Sequence, residues 1–271
     1  MPKLAALQHA SSPDIDANLE TARQMLAKAA AKGAKVAVFP EIQLSPFFPV
    51  ARGNNASAYA MTDENPALNE LGKMAKSNGI VTVANIYFQE KDGRRFDASP
   101  VFEADGTLIG ISKMVHIAQF EKFWEKDYYA SGSGFDVYDT SAGRVGVVIC
   151  YDRHFPESYR ASALQGAEII ATPTCNLAGE PLDLFAWEMR ILAMQNSVYS
   201  ILANRCGVEG DTAYGGHSVI AGPEGELLAA AGADESVLVA EYDLDYRARA
   251  AAQRNWLGEL KPWLKPGTKT P

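Results

Sequence analysis

The chain has 271 residues, 47 % of them hydrophobic, and a formal net charge of −8. That suits a soluble α/β protein with a substantial core, and without a basic cluster it argues against nucleic acid or an anionic membrane as partner. Three cysteines without close pairing and four histidines with no Cys-x-x-Cys or His-x-x-x-His spacing argue for a reducing compartment, against a disulfide framework and against a metal site. The amino terminus runs directly into a strand pattern with no leader, and no apolar run approaches membrane-spanning length, so a cytoplasmic protein is expected.

Leu4 to Gln8 reads as a strand, and Ser12-Pro13-Asp14 opens a helix in which Ile15, Leu19, Ala22, Met25, Leu26 and Ala29 recur at helical spacing up to Gly33. Val36 to Phe39 is a short buried strand ending at Pro40-Glu41. Asn65 to Ser77 is a second helix, stopped at Asn78-Gly79, and Ile80 to Phe88 a strand. Ser99–Glu103 and Thr107–Ser112 form a hairpin around Asp105-Gly106, and its second strand delivers Lys113. After a polar, aromatic loop, Phe135 to Tyr138 and Val145 to Ile149 are strands; the second ends at Cys150, and Pro156 opens a helix running to Leu164. Glu168 to Thr172 is a strand, Asp183 to Asn196 a long helix and Ser197 to Asn204 another strand. A second hairpin is expected around Pro223-Glu224-Gly225, then a last strand, Val237 to Tyr242, and a last helix from Asp245 followed by a tail, 245–271. With no linker or short repeat, one domain spanning 1–271 is the economical reading, and alternating helices and strands interrupted by hairpins predict a mixed sheet.

Three separate strands therefore end in a reactive residue: Glu41, Lys113 and Cys150. In α/β architectures ligand sites are built at the carboxyl edge of the strands. A thiol between a strand and a helix amino terminus lies near free backbone N–H groups, which lower its pKa and can stabilise an oxyanion. Glu41 is of the right type to serve as base, and Lys113 to neutralise a developing oxyanion.

Val38-Phe39-Pro40-Glu41, Lys113-Met114-Val115-His116-Ile117 and the stretch from Val148 to Glu157 resemble the three signature blocks of the nitrilase superfamily of carbon–nitrogen hydrolases. The resemblance covers Leu4 to about Tyr242. It implies a four-layer αββα sandwich with mixed sheets, homodimers or larger homo-oligomers, and a Glu–Lys–Cys triad of Glu41, Lys113 and Cys150 working through a thioester without cofactor or metal. It further implies that the backbone N–H of Tyr151 helps hold the oxyanion and that Glu125 holds Lys113 and helps position the substrate.

The loop from Phe120 to Gly134 and the sequence Cys150-Tyr151-Asp152-Arg153-His154 are similar to those of N-carbamoyl amide hydrolases, whereas Tyr151-Asp152 after the cysteine departs from the nitrilases proper. The resemblance implies hydrolysis of an N-carbamoyl amino acid or amine to amine, CO2 and NH3, with Arg153 on a substrate carboxylate. The alternatives are an ω-amidase acting on a small carboxylated amide and a non-catalytic binding subunit. His154 stands where some carbamoyl-amino-acid hydrolases carry a second arginine. His116 and Asn176 are further candidate substrate contacts, and Glu180 could read an amine. Cys175 and Cys206 read as bystanders.

Overall fold

A computed structural model describes residues 1–261 and residue 264. The first half of the chain contains β1 (Lys3–Gln8), α1 (Ile15–Ala31), β2 (Ala34–Val38), α2 (Pro66–Asn78), β3 (Val81–Val83), β4 (Ile86–Gln89), β5 (Arg95–Phe102) and β6 (Leu108–Lys113). The second half contains β7 (Val137–Thr140), β8 (Gly143–Val147), α3 (Pro156–Leu164), β9 (Ile169–Thr174), α4 (Leu182–Asn196), β10 (Tyr199–Asn204), β11 (Cys206–Glu209), β12 (Thr212–Gly215), β13 (Val219–Ala221), β14 (Leu227–Ala230), β15 (Ser236–Glu241) and α5 (Leu244–Arg254). The helix expected from Asp245 is α5; most of the expected tail after Lys261 lies outside the described residues.

The helices start and stop where local chemistry dictates. The Asp14 side chain accepts the free N–H groups of Asp16 and Ala17 at the start of α1, and Asn65 does the same for Ala67 ahead of α2, which carries Pro66 in its first turn. Gly79 ends α2 in the left-handed conformation, at φ +61°.

The strands form two mixed sheets and one small hairpin. The first sheet runs β15-β1-β2-β3-β5-β4, with β6 on β5; the second runs β14-β13-β10-β9-β8-β7. At the centre of each, three strands are parallel: β1, β2 and β3 in one, β8, β9 and β10 in the other. β1, from the start of the chain, is bordered on its other side by β15, antiparallel, from the end.

Side-chain alternation assigns each strand face to a layer. Leu4, Ala6, Val36 and Val38 meet Val145, Val147, Ile169, Ala171 and Ile201 between the sheets. On the opposite face of the first sheet, Ala5, Leu7, Ala37 and Phe39 pack on Leu19, Ala22, Met25 and Leu26 of α1 and Leu68, Leu71 and Met74 of α2. The second sheet is covered likewise, Ile170 and Leu202 lying against Tyr159 and Ala163 of α3 and Met189 and Leu192 of α4. The result is the expected αββα sandwich.

Three local departures matter for the site. The strand expected over residues 80–88 is interrupted at Ala84-Asn85, because the buried Asn85 side chain is occupied by other backbone and side-chain partners. The cysteine strand stops at Val147, and Cys150–His154 forms a 3₁₀ segment before α3. The hairpin β11–β12 was not expected, although Gly210-Asp211 between its strands is a two-residue hairpin signal.

Candidate active site

Four of the six central parallel strands deliver a polar group of this site beyond their carboxyl ends. Glu41 follows β2, Cys150 follows β8, Cys175 follows β9 and Arg205 follows β10. The backbone at Glu41 is tied down from several directions. Its N–H donates to Thr174 O at 3.3 Å, and its carbonyl accepts Arg205 Nη2 at 2.8 Å. The next residue, Ile42, sits at φ +48°, costly for a β-branched side chain and therefore held by its surroundings. Ile42 N–H donates to Asn85 Oδ1 at 2.6 Å, and its carbonyl takes Arg205 Nη2 at 2.7 Å. Asn85 in turn donates to Asp97 Oδ1 at 2.7 Å and Ser99 Oγ at 3.0 Å.

Cys150 occupies a strained position of the same kind, at φ +41°, and only 5 % of its surface is exposed. Arg153, itself buried, folds back beneath it. One guanidinium nitrogen, Nη1, donates to Cys150 O at 2.9 Å and lies 3.9 Å from Sγ; Nη2 donates to Asn176 Oδ1 at 2.8 Å. Glu188 lies 3.3 Å from Nε, and the Phe185 ring covers the guanidinium at 4.6 Å. Tyr151 opens the first turn of the 3₁₀ segment, where backbone N–H groups have no partner within the helix.

The site is rich in acids. The carboxylate of Glu41 and the sulphurs of Cys150 and Cys175 lie within 4.8 Å of one another, and neither Glu41 oxygen takes a hydrogen bond from a backbone N–H. Glu125 is fully buried; its Oε2 accepts the Ala118 N–H at 3.0 Å and its Oε1 has no partner. Burial pushes Glu41 well up, and the charges of Cys150, Asp97 and Glu125 add to the effect. Burial and the Cys150 charge likewise raise Glu125, and burial raises Asp97 to about 7. Cys150 goes the other way, down to about 5, chiefly through hydrogen bonding from the Cys175 thiol, with the Arg153 charge helping against burial. Burial raises the Cys175 thiol. The surroundings thus favour a thiolate on Cys150 beside a protonated Glu41.

Lys113 is not part of this cluster, which corrects the expectation that it faces the thiol. In the β5–β6 ladder Lys113 stands opposite Ala98, so the pleat turns it to the helix-covered face that Ala98 and Phe96 share. There its ammonium pairs with Glu90 and sits 4.5 Å from the Phe96 ring centre. The residue that turns into the layer between the sheets is the next one, Met114, fully buried in the core that also holds Cys150. Glu125 accordingly has no lysine to hold there.

The remaining candidates also take definite places. Arg153 reaches Cys150, and its guanidinium meets Cys150 O, Asn176 and Glu188. Asn176 serves as its acceptor, and its own N–H donates to Asn204 Oδ1. His116 pairs with Asp152 at 2.7 Å and stacks on Phe155 at 3.8 Å; the Asp152 carboxylate also accepts the N–H groups of Val115 and His116. These bonds clamp the end of β6 to the cysteine turn, a positioning role. His154 is exposed at the rim, 2.8 Å from Glu188. Sequence reasoning passed over Asp97, Arg205 and Asn85, and it set Cys175 aside as a bystander. Cys175 follows a parallel strand just as Cys150 does, and that was the signal available. Cys206 stays apart from the cluster, its thiol pushed up to about 12 by burial.

A family model described as carbon-nitrogen hydrolase matches residues 3–252. The chain belongs to the carbon–nitrogen hydrolase family. Among curated proteins it is 35 % identical over 263 residues to an N-carbamoylputrescine amidase of Solanum tuberosum, covering 89 % of this chain and 86 % of the relative. It is 32 % identical to an omega-amidase of Xenopus laevis, covering 93 % and 92 %. Among solved structures, a carbon–nitrogen hydrolase from Helicobacter pylori G27 superposes with a TM-score of 0.87 at 26 % identity, over 95 % of this chain and 94 % of that one. The E41Q mutant of an amidase from Nesterenkonia sp. AN1, which shows the Michael addition of acrylamide at its active-site cysteine, superposes with a TM-score of 0.78 at 27 % identity, over 94 % and 100 %. The chain is thus a carbon–nitrogen hydrolase acting on linear amides, as its motifs implied. Among the described residues no helix is long and apolar enough to cross a membrane.

Proposed function

We propose that this carbon–nitrogen hydrolase removes the carbamoyl group from an N-carbamoyl amine, giving amine, CO2 and NH3. The observation that carries the choice is the charge pattern at the nucleophile. Its neighbouring cation, Arg153, is buried and already meets Cys150 O, Asn176 Oδ1 and the Glu188 carboxylate, while the other groups nearby are carboxyls, Glu41, Asp97, Glu125 and Asp152, which burial holds toward their neutral form. Glu180 and Glu188 extend that character outward. Such a site offers a substrate carboxylate no second cation, whereas its carboxyl oxygens can accept hydrogen bonds from an amine and Glu188, held despite burial below the usual carboxylate range by His154 and Arg153, can pair with an ammonium. The likeness to N-carbamoylputrescine amidases supports the same choice.

In the proposed reaction the Cys150 thiolate attacks the carbamoyl carbon, and the Tyr151 N–H faces the oxyanion. Glu41, holding the former thiol proton, passes it to the departing ammonia as an S-acyl intermediate forms. Glu41 then takes a proton from water, whose oxygen displaces the sulphur; the carbamic acid released loses CO2 and leaves the amine. Glu125 orients the carbamoyl group, and Arg153 holds the thiolate. Lys113 has no part in this scheme.

An ω-amidase reading rests on the relative of that name and demands a free cation for the substrate carboxylate. The test is ammonia release from N-carbamoylputrescine, N-carbamoyl amino acids, ω-amides and nitriles, with Cys150→Ala as control. Turnover confined to the N-carbamoyl amine and lost in the variant is expected. Preference for a carboxylated amide would favour the second reading, and silence across the panel would return the chain to the class of binding subunits. We further propose a cytoplasmic homo-oligomer that acts on small molecules and has no nucleic-acid or membrane partner.

A further inference from the structure

We infer that Glu41, Cys150 and Cys175 form a binding site for a thiophilic divalent cation of the zinc class, one that silences the nucleophile. Two sulphurs and a carboxylate oxygen within 4.8 Å of one another are the donor set of a three-ligand zinc site, which leaves a fourth position for water. Zn–S bonds of about 2.3 Å and Zn–O bonds of roughly 2.0–2.2 Å require the donors to close up slightly, a shift within reach of side-chain rotation. The scaffold is rigid where it needs to be. Glu41 N–H is bonded to Thr174 O, the residue before Cys175, so two of the three ligands hang from one backbone contact. Both Glu41 oxygens are buried, and the polar side chains within their reach are the Asp97 carboxyl and the Cys150 thiol, with no backbone N–H donating to either. A buried carboxylate is normally satisfied, and a cation would satisfy it.

The absence of Lys113 from the cluster strengthens the case. Four buried carboxyl groups and two thiols share this region, and among the described residues no ammonium group lies among them; the one lysine nearby pairs with Glu90 on the other face of its sheet. A metal bound through Cys150 Sγ occupies the lone pair that would attack the carbonyl carbon, so metal and substrate exclude one another. That exclusion rests on Cys150 being the nucleophile; binding itself does not.

Reduced, chelator-stripped protein is titrated with cadmium while the ultraviolet thiolate-to-metal charge-transfer absorption is followed, and zinc is then added as competitor. One equivalent should bind saturably and be displaced by zinc. Cys150→Ser and Cys175→Ser should each weaken binding roughly tenfold or more and lower the band, with Glu41→Gln weakening it to a similar degree. Cys206→Ser should change neither, and circular dichroism melts establish that each variant is folded. Failure to bind one equivalent, persistence of the full band in both site-cysteine variants, or its loss in Cys206→Ser would overturn the site. Ammonia release by the chelated enzyme keeps the two readings apart. Turnover without metal binding sinks the metal site alone, and metal binding without turnover on any amide sinks the hydrolase reading alone.

Discussion

A buried thiol is ordinarily inert, and what makes Cys150 different is the short distance to a second thiol and to a guanidinium. With its pKa drawn down to about 5, the thiolate is the minor form below that pH and the dominant form above it. Iodoacetamide labelling of Cys150 should therefore rise through pH 5 and level off before neutrality, whereas Cys206, at about 12, should label only slowly throughout. Mass-spectrometric peptide mapping at several pH values reads both, and a Cys150 profile still climbing at pH 8 would contradict the thiolate. Lys113 offers a second test. Loss of a true oxyanion donor costs about 10²–10³ in kcat; because Lys113 faces Glu90 instead, Lys113→Met should leave kcat within a factor of a few. The motif around Lys113 led to the expectation of a lysine facing the thiol, whereas the side chain that enters the layer holding Cys150 is Met114. The sequence letters do not carry the phase of the pleat, and one residue of phase moves a side chain from one face of a sheet to the other.

At the scale of elements, the break between β3 and β4 is what brings the Asn85 amide to the backbone just after Glu41. Asn85 alone satisfies Ile42 N–H and donates to Asp97 and Ser99. Asn85→Ala would leave a buried N–H and a buried carboxylate oxygen without partners, each worth about 1–3 kcal/mol, so a loss of about 2–5 kcal/mol is expected. Urea denaturation measures it, and a change below about 0.5 kcal/mol would show that water or a neighbour takes over the bonds. Helix starts, buried strands and the Asp105-Gly106 hairpin were legible because each depends on a few adjacent residues. The interruption at Asn85 and the 3₁₀ turn after β8 were not, since both are decided by partners distant in sequence. The clamp from Asp152 to the end of β6 is of the same kind. It is made by residues that read singly as loop polars.

For the molecule as a whole, α4 presents two different faces. Phe185 leans over Arg153 and His154 at the site, while Leu184, Trp187 and Ile191 lie at helical spacing on the outside, 62 %, 56 % and 46 % exposed. Such a stripe fits the proposed self-association. Trp187→Glu should shift the mass measured by light scattering towards the monomer, and an unchanged mass would exclude this stripe from the interface. A mixed sheet was readable from buried strands alternating with helices and interrupted by hairpins, whereas the layer order came only with the family resemblance, and how the two sheets face each other emerges once side chains are sorted by face. One feature of that architecture bears on how the protein is made. β1 takes one of its two neighbours from β15, so β1 leaves the ribosome well ahead of the strand that completes its pairing. At about 5–20 residues per second, its edge stays open for something like ten seconds or more. Over that interval the edge of a continuous apolar run, Leu4 to Leu7, is free to pair with other nascent chains. A chaperone that shields the amino-terminal strand during synthesis should therefore raise the soluble yield more than one acting after release.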